Sequence, residues 1–78
     1  MASSARELLD FTSKIDMSQG GTNAWFEIHK KQLFIQLPGM FLIQVLSTEK
    51  LEGHRLLIKT TGCSHDFIVP AHLTTYEN

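Results

Sequence analysis

The sequence predicts a mainly β fold, a small and strongly bent antiparallel sheet or five-stranded barrel over residues 23–78, behind an N-terminal α-helix over residues 5–16. Three observations carry this. The apolar period changes from helical spacing to strict alternation near Asn23. The stretch "FIQLPGMFLIQVLS", residues 34–47, sets a Pro-Gly turn between two apolar runs, as a hairpin does. At 78 residues the chain is one domain. A chain of that size buries roughly 60% of its unfolded surface, too little to build two full sheets, so bending one sheet is the economical way to bury a face.

The elements follow in order. Ser4 and Glu7 form a capping-box pattern, in which hydroxyl and carboxylate satisfy backbone donors at a helix start. Leu8, Phe11 and Ile15, widened by Leu9 and Thr12, make an apolar stripe opposite Arg6, Asp10 and Lys14. "MSQGGTN" stops the helix with two glycines. In "AWFEIHK" Phe26 and Ile28 alternate with Trp25, Glu27 and His29, the pattern of a half-buried strand. Lys30-Lys31-Gln32 reads as a polar break or tight turn, after which "LFIQL" places Leu33, Ile35 and Leu37 on one face. Pro38-Gly39 suits the central positions of a type II turn. A strand over residues 40–47 then carries Phe41, Ile43 and Val45 on one face and Met40, Leu42 and Leu46 on the other. "TEKLEG" reads as a charged loop. In "HRLLIKTT" His54, Leu56, Ile58 and Thr60 oppose Arg55, Leu57 and Lys59. "DFIV" is a short strand ended by Pro70, which cannot donate to a central ladder, and "AHLTTYEN" closes with a turn and an edge strand.

Hydrophobic residues at 42% and charged residues at 19% describe a folded chain and exclude a disordered tail or a coiled coil. The longest apolar run, residues 40–43, is far short of the roughly 18 residues a spanning helix needs, and the polar N-terminus lacks a signal-peptide pattern. A cytoplasmic protein without a membrane partner is expected. The lone Cys63 forms no internal disulfide, and a net charge of −1 supplies no global field for nucleic acid.

The strand over residues 40–47 has two apolar faces, one more than a single small core can cover. Either the N-terminal helix or a partner covers the other face; the helix has only about three turns to do so, which favours a second copy of the chain or another protein, giving an interface of Trp25, Phe34, Met40, Leu42 and Leu46 rimmed by Lys30 and Lys31. A local RNA patch is the alternative. Trp25 would stack a base while His29, Lys30, Lys31, Arg55 and Lys59 meet phosphates. Cys63 and His65 with His54 and His72 are zinc-ligand types at no recognised spacing, so no metal or cofactor is expected. Cys63, His65 and Asp66 contain the types of a catalytic triad, but adjacency in sequence is no guide to convergence in space, and no catalytic residue is expected. Gly20-Gly21 follows a helix instead of opening one, so it is no phosphate loop.

The capped helix, the turn "LPGMFLIQVL" and the hairpin "RLLIKTTGCSHDFIVPAHLTTY" resemble the order of elements in Sm-like proteins, including the bacterial Hfq family. In that family the strand after the turn bends at a glycine, where Gln44 stands here, and an RNA-binding Tyr-Lys-His run falls on Val69, Pro70 and Ala71. "IVPAHLT" is similar to the end of SH3 domains, with Leu73 in place of the groove aromatic. Both resemblances imply an SH3-like or Sm-like small barrel, and neither transfers an activity. The sequence therefore points to a non-enzymatic binding or regulatory module acting through protein contacts as a homo-oligomer, with Sm-like RNA binding as the alternative.

Overall fold

Alternation of apolar and polar residues makes more than half of the described residues strand. The computed structural model describes residues 13–78, which form β1 (Ser13–Asp16), β2 (Trp25–His29), β3 (Gln32–Gln36), β4 (Ile43–Leu51), β5 (Arg55–Thr60), β6 (His65–Pro70) and β7 (Thr75–Glu77). They build one seven-stranded sheet in the order β1-β6-β5-β4-β3-β2-β7. Strands β2 to β6 pair antiparallel with their chain neighbours, as a meander of hairpins. The two outer pairings are parallel, β1 on β6 and β7 on β2.

Two expectations change here. The sheet is open, not a closed five-stranded barrel, because β6 and β2, the strands that closure would join, take β1 and β7 instead. Of the predicted helix, residues 5–12 lie outside the described residues, and the remainder, Ser13–Asp16, is strand β1. Pairing with β6 sets Ile15 opposite Phe67 and Lys14 opposite Asp66, and the Met17 N–H carries the ladder on to Ile68 C=O at 2.7 Å. An available sheet edge outweighs helical spacing in so short a segment.

The Pro-Gly turn forms as its residues require. Gly39 has φ 70°, and the Met40 N–H donates to Leu37 C=O at 3.2 Å, closing a type II turn. The strand that follows starts later and runs longer than its apolar pattern suggests. Pairing with β3 begins at Ile43, opposite Ile35, which leaves Met40, Phe41 and Leu42 in the loop, while Thr48–Leu51, expected as loop, pairs with β5. Phe41, expected to face the core, is 91% exposed. Register shifts between Val45, opposite Thr60, and Ser47, opposite Lys59, so Leu46 is the inserted residue of a bulge. That bulge divides β4 between two halves of the sheet. Its start pairs with β3 and the rest with β5.

Both halves feed one core. Phe26, Ile35, Leu37 and Val45 from one half meet Ile58, Phe67 and Val69 from the other, with Met17, Ala24 and Leu73 from flanking loops. Ile35, Leu37, Ile58 and Val69 are fully buried. Every paired residue in this set sits on one side of the alternation. The opposite side of β2 and β3 is left as a surface.

Candidate docking surface

On β2 the residues out of phase with Phe26 and Ile28 are Trp25, Glu27 and His29. Cross-strand register sets Gln36, Phe34 and Gln32 opposite them on β3, Gln44 opposite Phe34 on β4, and Tyr76 opposite Glu27 on β7. Directly opposed residues share a face, so Tyr76, Glu27, Phe34 and Gln44 form one row across four strands. Glu27 ties the row to its neighbours along β2. Its Oε2 accepts from Trp25 Nε1 at 2.8 Å, and its Oε1 lies 2.8 Å from His29 Nε2. The Trp25 hydrogen bond, then that of His29, hold the Glu27 carboxyl below its ordinary value of 4.5 against the opposing effect of burial. The His29 ring in turn meets Phe34 edge-on, with centroids 5.5 Å apart and planes at 79°.

This face continues into the loop after the Pro-Gly turn. The Gln36 side-chain amide donates to Leu37 C=O at 3.1 Å and to Met40 C=O at 2.6 Å. It thereby ties the Met40 backbone to Gln36, the residue opposite Trp25. Met40 is 38% and Leu42 37% exposed, and with Phe41 they form an apolar tip. Met40 and Phe41 themselves line a groove of about 410 Å³, together with Gly39, Ile43, Thr61, Gly62 and Cys63. The Thr61 N–H, donating to Gln44 C=O at 3.1 Å, holds the far wall of the groove in place.

Of the residues expected at an interface, Trp25 and Phe34 share the outer face of β2 and β3, Met40 is tied by its backbone to Gln36, Leu42 follows in the loop, and Leu46 projects from the bulge at 63% exposure. Phe41 and Tyr76, exposed at 91% and 55%, are not among the interface residues the sequence singles out. Alternation assigns Phe41 to the core only if the strand extends back to Met40, and no local signal announces that Tyr76 lies beside Glu27 through a parallel pairing. Of the residues expected of an RNA patch, Trp25, His29, Lys30 and Lys31 stay together on the β2–β3 hairpin, while Arg55 and Lys59 lie on β5. Lys30 and Lys31 form the tip of the β2–β3 hairpin, next to His29. Lys59 stands opposite Ser47 on β4. Arg55 is at the other end of β5, opposite Leu51, where its Nε donates to Glu52 C=O at 2.9 Å and its Nη1 lies 3.6 Å from Asp16 Oδ2.

The residues weighed for chemistry divide between two ends of the β5–β6 hairpin. Cys63 lies in the turn and His65 begins β6, whereas His54 and His72 sit at the opposite end, where the Ala71 N–H donates to His54 C=O at 2.8 Å. Among the described residues no three His, Cys, Asp or Glu side chains are grouped to hold a metal ion. His65 and Asp66, as successive residues of one strand, point to opposite faces. Among the described residues no helix is long and apolar enough to cross a membrane. No protein-family model matches the chain, and neither a curated protein nor a solved structure matches it.

Proposed function

We propose that this protein is a non-catalytic binding module that self-associates through the Met40-Phe41-Leu42 loop, with Trp25, Phe34 and Leu46 flanking the contact. The observation that carries the proposal is Phe41, a phenylalanine 91% exposed between two further apolar side chains. An isolated exposed apolar residue is ordinary, but a contiguous tip held by backbone and side-chain hydrogen bonds is preorganised for contact. A two-fold contact uses every residue twice and closes on itself, so it ends at a dimer. Burying Phe41 contributes roughly 1.5–3 kcal/mol and Met40 and Leu42, already more than half buried, proportionally less, against an association cost of about 4–15 kcal/mol, so weak, concentration-dependent assembly is the expected regime.

Light scattering over a concentration series tests this directly. The native chain should exceed its monomer mass of 8.8 kDa as concentration rises, and Phe41→Ser should remain monomeric with an unchanged β-sheet spectrum. A monomer at every concentration would sink the proposal. Nucleic acid carried with the protein, with affinity falling steeply in salt and on loss of Lys30 or Lys31, would support the RNA alternative instead.

A further inference from the structure

A carboxylate ringed by aromatic side chains is an unusual thing to place on an open sheet face. Glu27 has Tyr76 directly opposite on one neighbouring strand and Phe34 directly opposite on the other. Along its own strand, Trp25 and His29 flank it on the same face, each bonded to one of its oxygens. Among the outward residues of β2, β3 and β7, Glu27 is the one carboxylate, and Lys59 on β5 stands in the same outward phase further along the sheet. The two bonds it accepts occupy one lone pair on each oxygen and leave one on each.

We propose that Glu27, Trp25, Phe34 and Tyr76 form a binding site for an alkylammonium group, the side chain of a lysine or methylated lysine presented by a partner protein. Charge complementarity selects the occupant. A cation near Glu27 meets a full negative charge, with the aromatic side chains of Phe34 and Tyr76 on the flanking strands beside it, the combination that holds ammonium groups in water. An ammonium suits the site better than a guanidinium, because a compact charge does not need two parallel acceptors, and each Glu27 oxygen is already partly engaged. Tyr76 is 55% exposed on the edge strand, so the site opens toward β7. Lys30 and Lys31 at the hairpin tip repel a cation approaching from the His29 end. The partner's chain is thereby directed across β7 and Trp25.

The site shares Trp25 and Phe34 with the flank of the self-association contact but not the Phe41 loop itself, and a test with dilute, monomeric protein keeps the two apart. The full chain is titrated with Nα-acetyl-lysine amide, its trimethylated form and Nα-acetyl-leucine amide at constant ionic strength, following amide and indole resonances. Saturable shifts at Trp25, Phe34 and Tyr76 with either lysine probe, and none with the leucine probe, are expected. Tighter binding of the trimethylated probe assigns a modified lysine, and equal or weaker binding assigns an unmodified one. Glu27→Gln, which keeps an acceptor for Trp25, should weaken the lysine probes about tenfold, and Tyr76→Ala about threefold, since cation–aromatic contacts at exposed sites contribute modestly. Tyr76 lies on an edge strand, so that variant answers the question even if the Glu27 variant disturbs the fold. Equal shifts with the leucine probe, no saturation with either lysine probe, or undiminished affinity in both variants would overturn the proposal.

Discussion

Thr60 shows how a single polar atom weighs in so small a core. The residue is 7% exposed, opposite Val45, and its hydroxyl has no hydrogen-bond partner among the described residues. A buried hydroxyl without a partner retains its desolvation cost, so Thr60→Val should raise unfolding stability by about 1 kcal/mol, measured by urea denaturation. Glu27 makes the opposite case, a polar group that is satisfied. Its folded pKa is depressed by Trp25 and His29, so the stability it contributes is present above the unfolded carboxylate value and is lost as pH falls through the lower folded value. Trp25 fluorescence should therefore change in a titration centred below pH 4.5, and Glu27→Gln should abolish that step. A step at or above 4.5 would show that the indole bond does not form in solution.

The β2–β3 hairpin turns on two residues, Lys30 and Lys31, with φ of 52° and 66°. Such a turn matches the twist of the strands but requires the left-handed conformation twice, for which Asn-Gly is the favoured pair. Replacing Lys30 with Asn and Lys31 with Gly should stabilise the protein by about 1 kcal/mol, since left-handed backbone is costly for residues with a long side chain and glycine's greater unfolded freedom offsets part of the gain. The denaturation midpoint would rise without a change in slope. A lower midpoint would mean that the lysines are held by contacts of their own. At β4 the controlling feature is the bulge at Leu46. Apolar residues continue through residues 40–46, so the pattern alone gives neither where pairing begins nor where one residue is inserted. Those points depend on the Gln36 amide, which holds Met40 in the loop, and on the separate registers that β3 and β5 impose.

For the molecule as a whole, the contrast between core and surface can be measured with two substitutions. Ile58→Ala, at a fully buried position between the two halves of the sheet, should cost about 2–5 kcal/mol, a large part of the ~5–15 kcal/mol that stabilises a typical domain. Phe41→Ser should change monomer stability by less than about 0.5 kcal/mol, as expected for an exposed side chain. Comparable losses in the two variants would place Phe41 in the core and remove the basis for self-association. The sequence by itself determined strands at β2, β3, β5 and β6, the inward phase of Phe26, Ile35 and Ile58 and the turn at Gly39, because alternation and turn chemistry are local; it did not give the span of β4 or the exposure of Phe41. It also marked Trp25 and Phe34 as outward aromatics. Only the tertiary structure decided that β1 is a strand, that the sheet stays open and that Tyr76 completes a ring around Glu27. Parallel pairing joins segments far apart in the chain, and its hydrogen bonds are available to almost any side chains, so it leaves no local pattern to read.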